Sequence, residues 1–259
     1  MDVTSEPYFS KTIEKGLRIL NLFNQGRTRV SLKMVSEEIG INKTSAFRYV
    51  NTLVQLGYLK KDPQTKLLEV GPKAVYLSYT ITKSFDLLQI IKPIVDDASN
   101  AYNITIHAGL VDGDAIWVIY QKQAKDTLAV IQPSMIIKEW HCTAMGKSVL
   151  AHLPKKEMLT MLDRIELIKK TNNTITRKDI LIDELAVGRK RGYTLNNEEQ
   201  IPGLISIGAP VFNIERDRPI GALCFDLPTT QCSLAEVEQK YSKLIIKLAN
   251  DISEMRTTP

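Results

Sequence analysis

The sequence predicts an α+β protein: an N-terminal winged helix-turn-helix over residues 1–71, a linker helix over 72–84, and a C-terminal α+β domain with an antiparallel sheet over 85–259. Three observations predict this. Two short amphipathic segments meet at a glycine turn and are followed by a basic hairpin pattern. Strands and helices then mix without regular βα alternation, which favours antiparallel pairing. The charge is uneven: residues 1–80 hold 12 Lys+Arg and 7 Asp+Glu, whereas residues 81–259 hold 22 of each. The whole +5 excess sits in the first third, as expected where that third meets a polyanion.

The remaining composition bounds the class. A chain of 259 residues with 44% hydrophobic and 24% charged residues suits two globular domains. No apolar run approaches the roughly 20 residues needed to span a bilayer. Met1 to Ser10 carries acids and lacks the basic, apolar pattern of a signal peptide, so the expected location is the cytoplasm, with no membrane contact. The three cysteines, Cys142, Cys224 and Cys232, are odd in number and not spaced C-x-x-C, which points to buried reduced thiols.

In the first third, Ile13, Leu17, Leu20 and Phe23 fall on one face of a first helix. Ser31 caps a second, whose apolar face is Leu32, Val35 and Ile39 and whose end is marked by Gly40. Asn42 caps a third, running to Leu56, with Ala46 or Phe47, Val50, Leu53 and Leu56 turned inward. Its outward face is then Lys43, Thr44, Ser45, Arg48, Tyr49 and Thr52, two cations, hydroxyls and a ring with no acid. Thr44, Ser45, Arg48 and Tyr49 are expected in the major groove of double-stranded DNA. Lys43, the hairpin lysines Lys60, Lys61 and Lys66, and the helix-start residues including Ser31 are expected at the phosphates.

Farther on, Pro72 to Phe85 reads as a helix with Ala74, Val75, Leu77, Ser78 and Ile81 available for packing, followed by a helix over 87–102. Asp112-Gly113 marks a hairpin between strands over 103–111 and 115–120, and Thr127 to Gln132 reads as a third strand. Helices are expected over 143–153, 155–163, 177–191 and 234–255, and strands over 193–195, 205–212 and 220–226.

Taken in order, these motifs resemble the IclR family of bacterial transcriptional regulators over nearly the whole chain. The matching residues are Lys15 to Leu20, the 31–39 helix, Lys43 to Arg48, Gly57-Tyr58-Leu59, His141-x-Thr143-Ala144-x-Gly146-Lys147 and Leu150-Ala151. Thr171 to Thr176, Gly192-Tyr193, Glu198-Glu199, Gly203 and Ala209-Pro210-Val211 complete the set. The resemblance implies a GAF-like second domain that binds a small-molecule effector, and a homodimer or dimer of dimers on a palindromic operator. It implies effector contacts at Met145, Gly146, Asn196, Leu204, Ser206, Cys224 and Asp226. Gly146 at a helix start permits close approach of a ligand, and Cys224 and Asp226 share a strand face.

Two positions depart from the family. Members that bind carboxylates tend to carry small hydroxyl residues where Cys224 and Asp226 stand, so either the ligand is not a simple acid or Asp226 is protonated or paired with a cation. A hydroxylated, amine-bearing or aromatic ligand is expected. Near the wing glycine, Leu68-Glu69-Val70-Gly71 lacks the family's usual aromatic residue.

Catalytic readings are weak. Adjacent residues such as His141 and Cys142 rarely form a nucleophile and its base. Gly146-Lys147-Ser148 resembles the end of a phosphate loop, but position 141 holds His in place of the required Gly. His107, His141 and His152 match no standard metal spacing, although some members of the family carry zinc. No enzyme activity, cofactor or metal is expected. The function expected is effector-controlled repression of a catabolic operon, with activation as the alternative sign, and a small-molecule enzyme or an interaction scaffold as rivals.

Overall fold

The computed structural model describes residues 8–23, 27–125, 135–213 and 215–255. The chain divides into two compact units, Met1–Phe85 and Asp86–Pro259.

The first unit contains helices α1 (Lys11–Asn21), α2 (Leu32–Ile39) and α3 (Lys43–Gln55), hairpin β1 (Leu59–Lys61) and β2 (Leu68–Val70), and helix α4 (Pro72–Ser84). Local chemistry sets its boundaries. Ser10, Ser31 and Asn42 each accept a backbone N–H in the first turn of the helix that follows, removing an orphan donor. Gly40 closes α2 at φ +71°, a left-handed cap. Its core gathers Ile19, Val35, Ile39, Ala46, Val50, Leu59 and Leu68. A bridge from Val30 to Leu68 ties the segment before α2 to the hairpin.

The packing expectations hold in part in this unit. On α1, Ile19 is buried whereas Ile13 and Leu17 are 63% and 57% exposed. Leu20 and Phe23 of the expected stripe are half-buried against that core, so the stripe turns inward only toward its C-terminal end. On α3, Ala46, Val50 and Leu53 turn inward as expected, Ala46 being the one of the pair 46/47 that does so, while Phe47 and Leu56 are about half exposed. On α4, Val75, Leu77 and Ile81 lie exposed beside Tyr76 and Tyr79, and Ser78 is exposed too, so this helix finds little to pack against within its own unit.

The second unit opens with α5 (Asp86–Tyr102), which contains Pro93, and then builds a six-stranded antiparallel sheet in the order β5-β4-β3-β8-β7-β6. The strands are β3 (Thr105–Asp112), β4 (Ala115–Lys122), β5 (Ile136–Ile137), β6 (Thr194–Asn197), β7 (Leu204–Phe212) and β8 (Pro219–Pro228). Helices α6 (Ala144–His152), α7 (Lys155–Arg164) and α8 (Lys178–Arg191) come between β5 and β6, and α9 (Leu234–Met255) ends the unit. This is the α+β class with an antiparallel sheet that the sequence predicts. The expected strand over 127–132 lies outside the described residues. The two-residue β5 and the 3-10 turn Trp140–Cys142 have no counterpart among the expected elements.

The sheet is covered on both faces, and strand alternation sorts its residues. Ile106, Ala108, Ile205, Ile207, Leu223, Phe225 and Leu227 pack with α5 and α9. Ile116, Val118, Ala222 and Cys224 pack with α6 and α8. Gly208 marks how close α6 comes: a Cβ there would stand 2.7 Å from the Ala144 carbonyl oxygen.

Candidate DNA-binding and effector sites

The exposed face of α3 is basic and hydroxylated. Lys43, Thr44 and Arg48 are exposed, and neither cation has a carboxylate within 4.0 Å among the described residues. Phe47 and Asn51 share this face and were absent from the expected contacts. Their signal was in the spacing, since 44, 47, 48 and 51 recur at helical intervals. Ser45, Arg48, Tyr49 and Thr52 line a groove of about 710 Å³ with Ile13, Leu17 and Leu20 of α1; Ser45 and Tyr49 are half-buried there, while Arg48 and Thr52 are exposed. Ser45 gives its backbone N–H to Asn42, and the Thr52 hydroxyl donates to the Arg48 carbonyl at 2.9 Å. Ser31 accepts the Met34 N–H at 3.2 Å and so works as a helix cap.

The hairpin lysines are unequal. Lys60 stands opposite Glu69 in the strand register and pairs with it at 2.8 Å, while Arg29 takes the other oxygen at 2.9 Å. Lys66, at φ +59°, donates to the Pro63 carbonyl at 2.6 Å. Lys61 is exposed and makes no ion pair among the described residues. The turn between them is held by Asp62, which accepts from the Gln64 and Thr65 amides at 2.8 and 2.7 Å; those donors lower its carboxyl below the ordinary aspartate range.

In the second unit the residues implied as effector contacts come together on the α6 face of the sheet. Asn196, Ser206 and Asp226 stand side by side across β6, β7 and β8. Leu204 and Cys224 flank them two residues away on the same faces. Met145, on α6, packs in the same buried cluster as Cys224. Met145, Asn196, Leu204, Ser206, Cys224 and Asp226 are each at most 5% exposed, so the set is enclosed. Gly146 is buried for a different reason from the one expected. A Cβ there would stand 2.4 Å from the Trp140 carbonyl oxygen, so its absence admits the 3-10 turn rather than a ligand.

His107, outside every expected set, belongs here. It is fully buried on β3, and its Nε2 lies 3.0 Å from Asp226 Oδ2. Burial pushes the Asp226 carboxyl up, but the His107 charge and hydrogen bonds from His107, Ser206 and Cys224 outweigh it, and the group is held below the usual aspartate range. Of the two expectations for Asp226, pairing with a cation-capable group is the one found.

A second buried charge pair lies at the same end of the domain. Lys147 Nζ donates to Glu199 Oε1 at 2.6 Å, with the two side chains 1% and 7% exposed. Glu199 also gives its backbone N–H to Asn196 Oδ1 at 2.8 Å, which ties the 198–203 loop to the enclosed set. Burial raises the Glu199 carboxyl even with Lys147 against it.

Nucleophilic chemistry has no support at His141 and Cys142. Burial raises the Cys142 thiol to about 12 and lowers His141, the reverse of an activated thiolate and its imidazolium. Among the described residues no group of three or more His, Cys, Asp or Glu is placed to hold a metal ion.

A basic winged helix-turn-helix joined to a sheet domain with an enclosed polar site defines a class of DNA-binding transcriptional regulators. Two family models match the chain: the IclR helix-turn-helix domain over residues 12–63 and the bacterial transcriptional regulator IclR C-terminal domain over residues 79–254. The chain belongs to the IclR family of bacterial transcriptional regulators.

It is 29% identical to the HTH-type transcriptional regulator XynR of Escherichia coli over 88% of this chain and 90% of that protein. It is 24% identical to the E. coli transcriptional repressor IclR, covering 94% and 89% of the two chains. An IclR homolog from Microbacterium hydrocarbonoxydans, solved as a complex with 4-hydroxybenzoate, shares the fold with a TM-score of 0.81 at 16% identity, over 96% of this chain and 100% of that one. The family is one of regulators, and the chain is not an enzyme.

Proposed function

We propose that this protein is a cytoplasmic repressor that binds a palindromic operator of a catabolic operon as a homodimer or dimer of dimers, and that a small molecule in the enclosed polar site controls it. The observation that carries DNA contact is the exposed α3 face, where Lys43, Thr44 and Arg48 present cations and a hydroxyl with no acid among them. Lys61 adds a phosphate contact from the hairpin. The reading of an effector site draws on the converging polar side chains on β6, β7 and β8, and on a relative of the same fold that was crystallised with an aromatic hydroxy acid. Repression draws on the name of the E. coli relative. Among the described residues no helix is long and apolar enough to cross a membrane.

Self-association is favoured by the exposed apolar residues of α4, with Val75 63%, Tyr76 69% and Tyr79 60% exposed. A second copy that covers α4 sets the distance between recognition helices, and half-sites then fall about 34–36 Å apart or at a multiple of that.

The test is a mobility shift with DNA from upstream of the protein's own gene, ligand-free and at low ionic strength. A shift that weakens steeply with salt is expected. If no fragment of that region is retarded, the reading is wrong.

A further inference from the structure

The α6 face of the sheet is polar in rows. Thr105, Asp226, Ser206 and Asn196 are neighbours across β3, β8, β7 and β6, and the next row holds His107, Cys224, Gly208 and Thr194. His107 and Asp226 are diagonal neighbours, a spacing that long side chains bridge. His107 Nε2 lies 3.0 Å from Asp226 Oδ2, within reach of a hydrogen bond. Both ring nitrogens are buried; Nδ1 has no hydrogen-bond partner among the described residues, and Nε2 has only the Asp226 carboxylate beside it. A buried polar atom left in that state costs free energy until something meets it.

We infer that His107 and Asp226 are the recognition pair of the effector site, and that the ligand they take is an uncharged polyhydroxylated molecule. The inference rests on the effector-site reading above and adds both a residue and a ligand class to it. An ionised Asp226 only accepts, and burial beside it makes a second carboxylate costly. An ammonium is also ill suited. Asp226 already faces His107, and the N-terminal end of α6, where Met145 packs with Cys224, disfavours a further cation.

Hydroxyls fit the array. Each donates one hydrogen and accepts others, so neighbouring hydroxyls donate to Asp226 and to Ser206 Oγ and pair with His107 Nδ1 while accepting from the Asn196 amide. The only direct bond between those last two is long, 3.4 Å from Asn196 Nδ2 to Ser206 Oγ, and is readily exchanged for a ligand oxygen.

The experiment uses the full chain and matched pairs that differ only in CH2OH against COO⁻: glycerol and glycerate, erythritol and erythronate, ribitol and ribonate, sorbitol and gluconate. Isothermal titration calorimetry should find a polyol that binds at least tenfold more tightly than its acid. In Asp226→Asn that preference should fall at least tenfold through gain of the acid, and His107→Gln should weaken the polyol. Circular dichroism checks that each variant is folded, and Asp226→Ser replaces Asp226→Asn if the latter is not. Tighter binding of any acid than of its polyol to the wild type, or no binding by any polyol, overturns the inference. DNA retardation by the ligand-free wild type is measured in parallel. If it is absent, the regulator reading fails; if it is present with acid preference, only the ligand class fails.

Discussion

Removing Lys147 isolates the energetics of the buried pair beneath the effector site. In Lys147→Met, the Glu199 carboxyl keeps its enclosed position at 5% exposure, with Oε2 already lacking a partner, and loses the one cation against it. It then takes up a proton. Holding a glutamate protonated at pH 7 against an ordinary value of about 4.3 costs roughly 3.7 kcal/mol, at about 1.36 kcal/mol per pH unit. That falls within the roughly 3–5 kcal/mol lost when one member of a buried pair is removed.

The sign follows from Glu199 itself, whose folded value burial already raises. A carboxyl with a raised folded pKa favours the folded state fully below its unfolded value and loses that contribution as pH rises through the folded one. The Lys147→Met deficit should therefore shrink from pH 7 toward pH 5, by at most about 1.4 kcal/mol for each unit because the raised wild-type carboxyl gains in the same direction. Glu199→Gln leaves a lysine buried and should show no such relief with acid. Lys147→Met/Glu199→Leu should lie within about 2 kcal/mol of wild type, because the desolvation penalties of both ions vanish together. Urea denaturation followed by tryptophan fluorescence reads this unit alone, since both tryptophans, Trp117 and Trp140, lie in it. A Lys147→Met deficit below about 1 kcal/mol at pH 7, or one unchanged from pH 7 to 5, would refute the reasoning.

Arg48→Ala should cost about 1–3 kcal/mol of operator affinity and relax the sequence preference at one position; an unchanged titration removes Arg48 from the readout. Lys61→Ala should weaken all DNA alike and lower the slope of log K against log salt by about 0.9. Lys60→Ala should do less because Glu69 already holds that lysine, and equal effects in a salt series would show the pairing to be irrelevant. Gly208→Ala places a methyl 2.7 Å from the Ala144 carbonyl and should destabilise by about 1–3 kcal/mol. A wild-type urea midpoint in that variant would show that α6 is free to move away from the sheet.

What the sequence made legible was local. Caps at Ser31 and Asn42, the stop at Gly40 and the turn at Asp62 act over three or four residues, so their chemistry can be read without knowing what packs against them. Packing partners cannot be read that way. Ile13 and Leu17 repeat with the period of a buried stripe, yet the core takes Ile19. The stripe records a demand for burial and not the surface that meets it. The same holds for α4, whose apolar residues Val75, Leu77 and Ile81 are exposed. The residues proposed as effector contacts came through family resemblance, which supplies positions but not neighbours. Lys147 and Glu199 were both within matched motifs, and nothing in their spacing of 52 residues announced a contact.

Asp226 shows why a departure from a family pattern has to be weighed as a pair. Taken alone, a carboxylate on an enclosed face speaks against an acidic ligand, and leaves open whether the group is neutral, paired or waiting for an amine. The register of β3 against β8 resolves the choice, because it sets Thr105 opposite Asp226 and His107 opposite Cys224, so the imidazole reaches the carboxylate diagonally. An acid introduced there without such a neighbour would bear the full desolvation penalty or remain protonated. With the imidazole beside it the carboxyl is held below the usual aspartate range, and the site as proposed accepts hydrogens instead of admitting an anion. It follows that Asp226 and His107 should be exchanged together. Asp226→Ser alone should admit the acid but leaves the imidazole without its partner and weakens the polyol, whereas Asp226→Ser with His107→Val removes both polar demands and should carry the shift toward acids further.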